Sequence, residues 1–220
     1  MLHMYALVRR PAVVPDALGI ADAPLRAVDA GEGIDAIVSE TQSDGTPPTE
    51  DAILAHARVV DALAASNESV LPARFTSDAV GEDDLRRKLL DRRERVLKAL
   101  EQVSGCVELG LRVLPAGSNE PLQATSGGEY MRRRLDEVTR AQHLAHSLHD
   151  SLAATARAST CNVLARRDLV LTGTYLVPRE EIERFGAMLD EAQRDLDGVT
   201  LISTGPWPPY SFALLDSEDG

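Results

Sequence analysis

Arg26-Ala27-Val28-Asp29-Ala30-Gly31-Glu32-Gly33-Ile34-Asp35-Ala36-Ile37-Val38 is the stretch on which the fold class turns. Two short runs flank Gly31-Glu32-Gly33, and glycines accept the positive φ that a tight reversal needs, so a hairpin is expected with strands over 26–29 and 34–38. Upstream, Met4 to Arg9 is an apolar run ended by Arg9-Arg10-Pro11 and reads as a first strand. Pro11, Pro15, Gly19 and Pro24 make the intervening loop. Downstream, Thr41 to Pro48 is a polar loop, and Thr49 is placed to cap a helix with Glu50 and Asp51 at its positive end. Ile53, Ala57, Val60 and Ala64 recur at helical spacing, with Leu54 and Leu63 widening the stripe that is expected to cover the sheet.

Val70-Leu71-Pro72-Ala73-Arg74-Phe75 is too short and too proline-limited for a helix and is expected as an edge strand. Glu82 to Gln102 reads as one helix with Leu85, Leu89, Val96 and Leu100 along one side. Cys106 to Val113 alternates apolar and polar residues and reads as a further strand. Strand, hairpin, helix, strand, helix, strand is close to a ferredoxin-like sandwich with an extra strand ahead of its second helix. The length fits one large domain or two small ones; the family resemblance given below implies two, and with it the expectation is an α+β protein whose first domain, 1–117, is a modified ferredoxin-like sandwich. The best linker is Pro115-Ala116-Gly117-Ser118-Asn119-Glu120-Pro121.

The expected second domain, 118–220, is α+β with a long helix from Gly127-Gly128 to about Ala158. Val138, Ala141, Ala145, Leu148 and Leu152 form a seam along that helix, so part of it is open to pairing with another helix and to self-association. A second hairpin is expected from 162–165 and 169–177 about Arg166-Arg167-Asp168. Pro178 then opens a helix through Ile182, Phe185, Leu189 and Leu196 that Gly198 stops. Val199 to Ser203 is a last strand.

The tail over 205–220 opens with Gly205-Pro206-Trp207-Pro208-Pro209-Tyr210-Ser211-Phe212, which holds the only Trp of a chain that is 4% aromatic. Three prolines fix φ and remove donors, so an extended, polyproline-like ribbon is expected. Such a ribbon stays ordered when its side chains are buried in a groove, either on its own domain or on a partner.

Composition excludes several function classes. A formal charge of −12 repels polyanions, so nucleic acid is not an expected partner. No apolar run approaches the roughly 18–20 residues of a membrane span, and the first ten residues carry their charge after the apolar run, unlike a signal peptide. Cys106 and Cys161 lie outside any CxxC and read as two buried thiols in a reducing cytoplasm.

Chemistry-bearing residues do not converge. His143, His146 and His149 are three apart on the long helix, where the outer two stand about 120° apart around the axis and read as a solvated face, with no metal site. His56 lies beside the apolar stripe of the first helix and reads as a hydrogen-bonded, partly buried histidine. Gly127-Gly128 has no phosphate-loop pattern around it and reads as a helix-entry turn. Arg86-Arg87-Lys88 with Asp91-Arg92-Arg93-Glu94-Arg95 reads as an ion-paired helix face, and also as the one basic patch that an acidic partner would use. No catalytic residue and no cofactor is expected.

The tail resembles the C-terminal signature of the gas vesicle synthesis proteins of the GvpL/GvpF family, and other landmarks fall in that family's order. Tyr5 comes first, then His56 with Val59-Val60, then Leu71-Pro72-Ala73-Arg74-Phe75-Thr76, similar to a Pro-Leu-Arg-Phe-Gly-Thr segment. Val107 to Val113, Gly127 with Tyr130-Met131, Tyr175-Leu176-Val177, Phe185 and Gly205 to Phe212 complete the likeness. This chain departs from it at Ala73 and at Thr76, which follows Phe75 without the glycine. The resemblance implies a non-catalytic accessory or minor structural protein of gas vesicle assembly, located in the vesicle or the cytoplasm. It also implies contact with the major hydrophobic shell protein and other accessory proteins.

Arg74 and Phe75 on the edge strand are the candidate contacts, together with Trp207, Tyr210 and Phe212 if these are not buried in their own domain. A chaperone-like shielding of the shell protein's apolar face is the expected mechanism. The alternative is an enzyme or small-molecule sensor on a ferredoxin-like scaffold, which requires a ligand-sized pocket near His56 and Arg74.

Overall fold

The computed structural model describes residues 1–42, 45–115, 126–163, 171–196 and 199–213. The chain forms two compact units, one from Met1–Val107 together with the segment from Trp207 onward, the other from Glu108–Pro206. The expected division fell at 117/118 and kept the tail with the second domain.

In the first unit, β1 (Leu2–Arg9) is the central strand of a sheet ordered β2 (Arg26–Gly31), β3 (Ile34–Glu40), β1, β4 (Val70–Pro72), with β5 (Asp78–Ala79) also pairing β1. Its pairings are antiparallel. The 26–38 hairpin is present, turned by Gly31 at φ 86°, Glu32 at 53° and Gly33 at 73°. The 70–75 edge strand is present over Val70–Pro72; Pro72 stands opposite Ala6 between hydrogen-bonded pairs, so its missing donor faces away from β1, as an edge strand allows, and Ala73 N–H still reaches the Tyr5 carbonyl.

Opposite β3 the register of β1 slips between Met4 and Ala6, so Tyr5 is an extra residue. Such a bulge reverses side-chain parity. It brings the buried His3 to the same face as Ala6 and Val8, the face covered by α1 (Glu50–Ser66). Leu7 and Leu71, paired across β1 and β4, are fully buried on the other face by alternation. Thr49 caps α1 by accepting the Ala52 N–H.

The buried side of α1 is Ala52, Ala55, His56, Val59, Val60 and Leu63. Ile53 and Leu54, expected in the stripe, are about half exposed. The phase is set by Val59, Val60 and Leu63, and carrying it back three and four residues at a time reaches 55, 56 and 52.

The single helix expected over 82–102 is two, α2 (Glu82–Leu90) and α3 (Arg93–Val103). Asp91 to Arg95 holds no apolar side chain, so packing does not oppose a break there. Leu85, Val96, Leu100 and Val103 are buried.

The strand expected to close the first sheet lies elsewhere. β6 (Cys106–Pro115) sits in a second sheet ordered β7 (Ala158–Val163), β8 (Leu171–Pro178), β6, β9 (Val199–Trp207). A four-stranded ferredoxin-like sheet in the first unit is therefore not what the strand order shows.

Leu109, Leu111 and Val113 of β6 point into a core with Leu148 and Leu152 of α4 (Gly127–Ala153). Tyr175 of β8 and Phe185 and Leu189 of α5 (Ile182–Asp195) complete it. The second hairpin exists as β7 paired antiparallel to β8, but β7 begins at Ala158, earlier than the expected 162, so α4 ends at Ala153 and not near Ala158. Its turn at Arg166-Arg167-Asp168, the linker 116–121, Gly198 and the seam side chains Val138, Ala141 and Ala145 lie outside the described residues. No helix among the described residues is long and apolar enough to cross a membrane.

Candidate functional site

Pro72 ends β4, and the chain then leaves the sheet for five residues before rejoining β1 at Asp78. The excursion is tied at both ends: Ala73 N–H donates to the Tyr5 carbonyl at 2.8 Å and Met4 N–H to the Ser77 carbonyl at 3.0 Å. Ser77 N–H closes it by donating to the Arg74 carbonyl, 2.9 Å. Arg74 points outward and is exposed. Phe75 folds underneath, half-buried, with its ring centroid 5.4 Å from His3 and 5.8 Å from His56.

Behind Phe75 runs a buried polar chain. His3 Nδ1 is 2.8 Å from Asp78 Oδ1, His3 Nε2 is 2.9 Å from His56 Nδ1, and His56 Nε2 is 3.1 Å from the Ala73 carbonyl oxygen. Both ends of the chain are the two ends of the Arg74–Ser77 loop. Tyr5 stacks on His56 and closes the cluster, its hydroxyl held by Ser39 and by Ile20 N–H. Burial, reinforced by His3, pushes His56 down to about 4, so it is neutral at pH 7.

The outer side of the loop borders a groove of about 480 Å³ within the first unit. Met4, Pro72, Leu85 and Leu89 give it apolar walls, and Arg74, Asp78, Lys88 and Arg92 a polar rim. Tyr210 and Ala213 of the tail supply the remaining side. Pro208 and Pro209 are buried and the turn Tyr210–Phe212 lies beside β4, so the tail is anchored on the first unit. Burial and the nearby Asp61 charge push the Tyr210 phenol up to about 12.

The structure brings together two of the five expected contact residues, Arg74 and Tyr210, on one groove. Phe75 is behind the loop. Phe212 is half-buried, and Trp207 is 52% exposed at the end of β9 without lining the groove. The extended ribbon expected over 205–212 is a strand up to Trp207 and a short helical turn after Pro209.

Sequence reasoning missed His3 and Asp78, and placed Lys88 only in the basic patch of the helix. The parity switch that turns His3 inward depends on a bulge that no local pattern announces. His56, the histidine expected to be partly buried, is 4% exposed and does not line the groove. Of the expected enzyme-like pocket, then, Arg74 is present and His56 is not. Asp78 is engaged by His3, while Lys88 pairs with Asp84 and donates to the Asp78 carbonyl.

The expected basic patch on α2 is laced with acids: Arg86 meets Glu82 and Asp83, and Arg87 and Lys88 meet Asp84. In the second unit His149 bonds the Tyr175 hydroxyl at 3.1 Å, and His143 and His146 are exposed. Cys106 is buried as expected, Cys161 only partly, and neither forms a disulfide. No cluster of three or more metal-ligating side chains occurs among the described residues.

Fold and site define an α+β protein of two antiparallel sheets whose notable surface is a groove built from a sheet edge and the tail. The chain belongs to the GvpL/GvpF family of gas vesicle synthesis proteins, whose model matches residues 1–214. It is 34% identical over 192 residues to gas vesicle protein L of Streptomyces sp. (strain CB03234), covering 77% of this chain and 71% of that one. To gas vesicle protein F1 of Halobacterium salinarum it is 24% identical over 213 residues, covering 96% and 92%. The fold is similar to the crystal structure of GvpF from Anabaena sp. PCC7120, with TM-score 0.80 and 16% identity over 96% of this chain and 95% of that one. GvpF from Microcystis aeruginosa gives 0.75 and 18%, covering 96% and 98%.

Proposed function

We propose that this chain is a non-catalytic accessory protein of gas vesicle assembly that binds the hydrophobic major shell protein through the groove between the Arg74–Ser77 loop and the tail. The groove carries the reading. Its apolar walls, Met4, Pro72, Leu85 and Leu89, lie beside the end of an edge strand, where an extended apolar segment can be laid down. Arg74 and Tyr210 at its margins are the contacts that orient such a segment. A shell subunit with one apolar face needs that face covered until it joins the shell, and transient burial of a few of its side chains serves this. Other accessory proteins meet the chain elsewhere, Trp207 being the exposed aromatic best placed for it. The protein works at the gas vesicle or in the cytoplasm around it.

The test is capture of co-expressed major shell protein by this chain over a series of rising salt, with Leu89→Glu as the groove variant. Saturable capture that survives salt and falls at least tenfold in the variant supports the reading. Capture that disappears with salt and ignores the variant moves the contact to the charged face of α2. The groove's volume also lies in the range of small-molecule sites, roughly 300–1,000 Å³. A metabolite that raises the melting temperature of wild type but not of Leu89→Glu would favour a sensor instead.

A further inference from the structure

Asp78, His3, His56 and the Ala73 carbonyl are joined by three hydrogen bonds whose protons can be counted from one fixed end. A carbonyl oxygen only accepts, so His56 Nε2 carries a proton and donates. Neutral His56 then has a bare Nδ1, and His3 Nε2 must donate to it. A neutral His3 with its proton on Nε2 has a bare Nδ1, which faces Asp78 Oδ1 at 2.8 Å. Two lone pairs do not bond at that distance. The chain is complete only with one proton more than an ionised aspartate and two neutral histidines supply.

We propose that this extra proton is held between Asp78 Oδ1 and His3 Nδ1 and clasps the Arg74–Ser77 loop against the sheet. Asp78 and Ala73 are the two ends of that loop, so the buried chain runs from one end to the other through two side chains on β1 and α1. Removing the proton breaks one of the three links and frees a loop end, which changes the lip of the groove.

The groups facing the histidines are few. Asp78 on β5 and His56 on α1 are in direct contact with His3. Tyr5 and Phe75 cover the rings, and Ser39, opposite His3 on β3, is uncharged. Lys88 of α2 reaches the Asp78 carbonyl at 2.9 Å, and Arg74 is in the loop itself. Thr46 N–H approaches the second Asp78 oxygen at 3.4 Å. Burial pushes His3 down more than Asp78 pulls it up, so the proton belongs to the pair and not to the imidazole alone.

Asp78→Asn separates this device from a merely structural aspartate. Its amide nitrogen donates to His3 Nδ1 and its oxygen accepts from Thr46 N–H, so the chain is complete with no titrating proton. Hydrogen exchange at the Met4 and Ala73 amides, corrected for intrinsic rates, is followed in the full chain from pH 4.5 to pH 8, a window that spans release of the proton below the ordinary histidine value of 6.5. Wild type should lose roughly tenfold protection, the size of one lost hydrogen bond, while Asp78→Asn stays protected throughout and Asp78→Ala is unprotected throughout. Flat protection in wild type overturns the proposal, as does an Asp78→Asn profile equal to that of Asp78→Ala. Nitrogen-15 histidine spectra of wild type give a second reading that needs no variant. His56 must be the neutral Nε2–H tautomer at pH 6, and an Nδ1–H tautomer overturns the count.

Discussion

The Tyr5 hydroxyl occupies the space that a side chain on Gly19 would need: a Cβ there would stand 2.3 Å from the hydroxyl oxygen and 3.1 Å from Ser39 Oγ. Tyr5 is fully buried and its hydroxyl also receives Ile20 N–H, so neither residue can step aside. Gly19→Ala is expected to cost on the order of 1–3 kcal/mol by overpacking, read as a lower denaturant midpoint with unchanged m-value. Gly19→Ala in a Tyr5→Phe background should cost less than in wild type, because the clashing oxygen is gone. Equal costs in both backgrounds would place the strain elsewhere.

His56 makes stability acid-sensitive. Its folded value of about 4 lies below the ordinary 6.5, so between these values the unfolded chain binds the extra proton and the folded chain does not. The contribution is fully present above about pH 6.5 and is lost as pH falls towards 4, amounting to about 3 kcal/mol. Urea denaturation at pH 7.5, 6, 5 and 4.5 measures it. Stability that does not fall across that window would mean His56 accepts its proton in place.

Phe185 is 1% exposed at the centre of the second core, with Tyr175 beside it at a centroid distance of 5.2 Å. Phe185→Ala should destabilise by roughly 3–5 kcal/mol. Because the two units have separate cores, hydrogen exchange should show that loss mainly at amides of β6 and β8. Protection lost equally on β1 and β3 would show that the units unfold together.

Ion pairs on the exposed face of α2 should contribute little. Arg86→Ala removes ion pairs to Glu82 and Asp83, whose side chains are exposed by 40% or more, and a hydrogen bond to the main-chain carbonyl of Asp29. The expected loss of unfolding free energy, read by urea denaturation, is no larger than that of an exposed pair and should shrink further in high salt.

Legibility in the sequence followed the range of the physics involved. The 26–38 hairpin, the Thr49 cap, the proline-limited strand at 70–72 and the helix through Phe185 and Leu189 are local, set by glycine, capping oxygen, missing donor and spacing. The sheet to which β6 belongs is a long-range choice, and alternation over 106–113 is the same whichever partner it takes. The break at Asp91-Arg92 was hidden because Leu85, Leu89, Val96 and Leu100 keep one helical phase across it. At the site, Arg74 was legible from its place on the proline-limited edge strand and Tyr210 from the concentration of aromatics in the tail. The bulge at Tyr5, which creates the histidine chain, is a matter of how β1 registers against β3 and leaves no mark on β1 itself.

The segment from Trp207 onward belongs to the first unit although the whole second unit is encoded before it. A chain emerging from the ribosome therefore exposes the Arg74 loop and the bare flank of β4 long before Tyr210 and Ala213 are translated. Domains generally fold in the order of synthesis, but this one lacks one side of its groove until Tyr210 and Ala213 have been made. Nascent chains can complete the sheet but not the groove, whose last wall waits for residues made about a hundred positions after the rest of its unit.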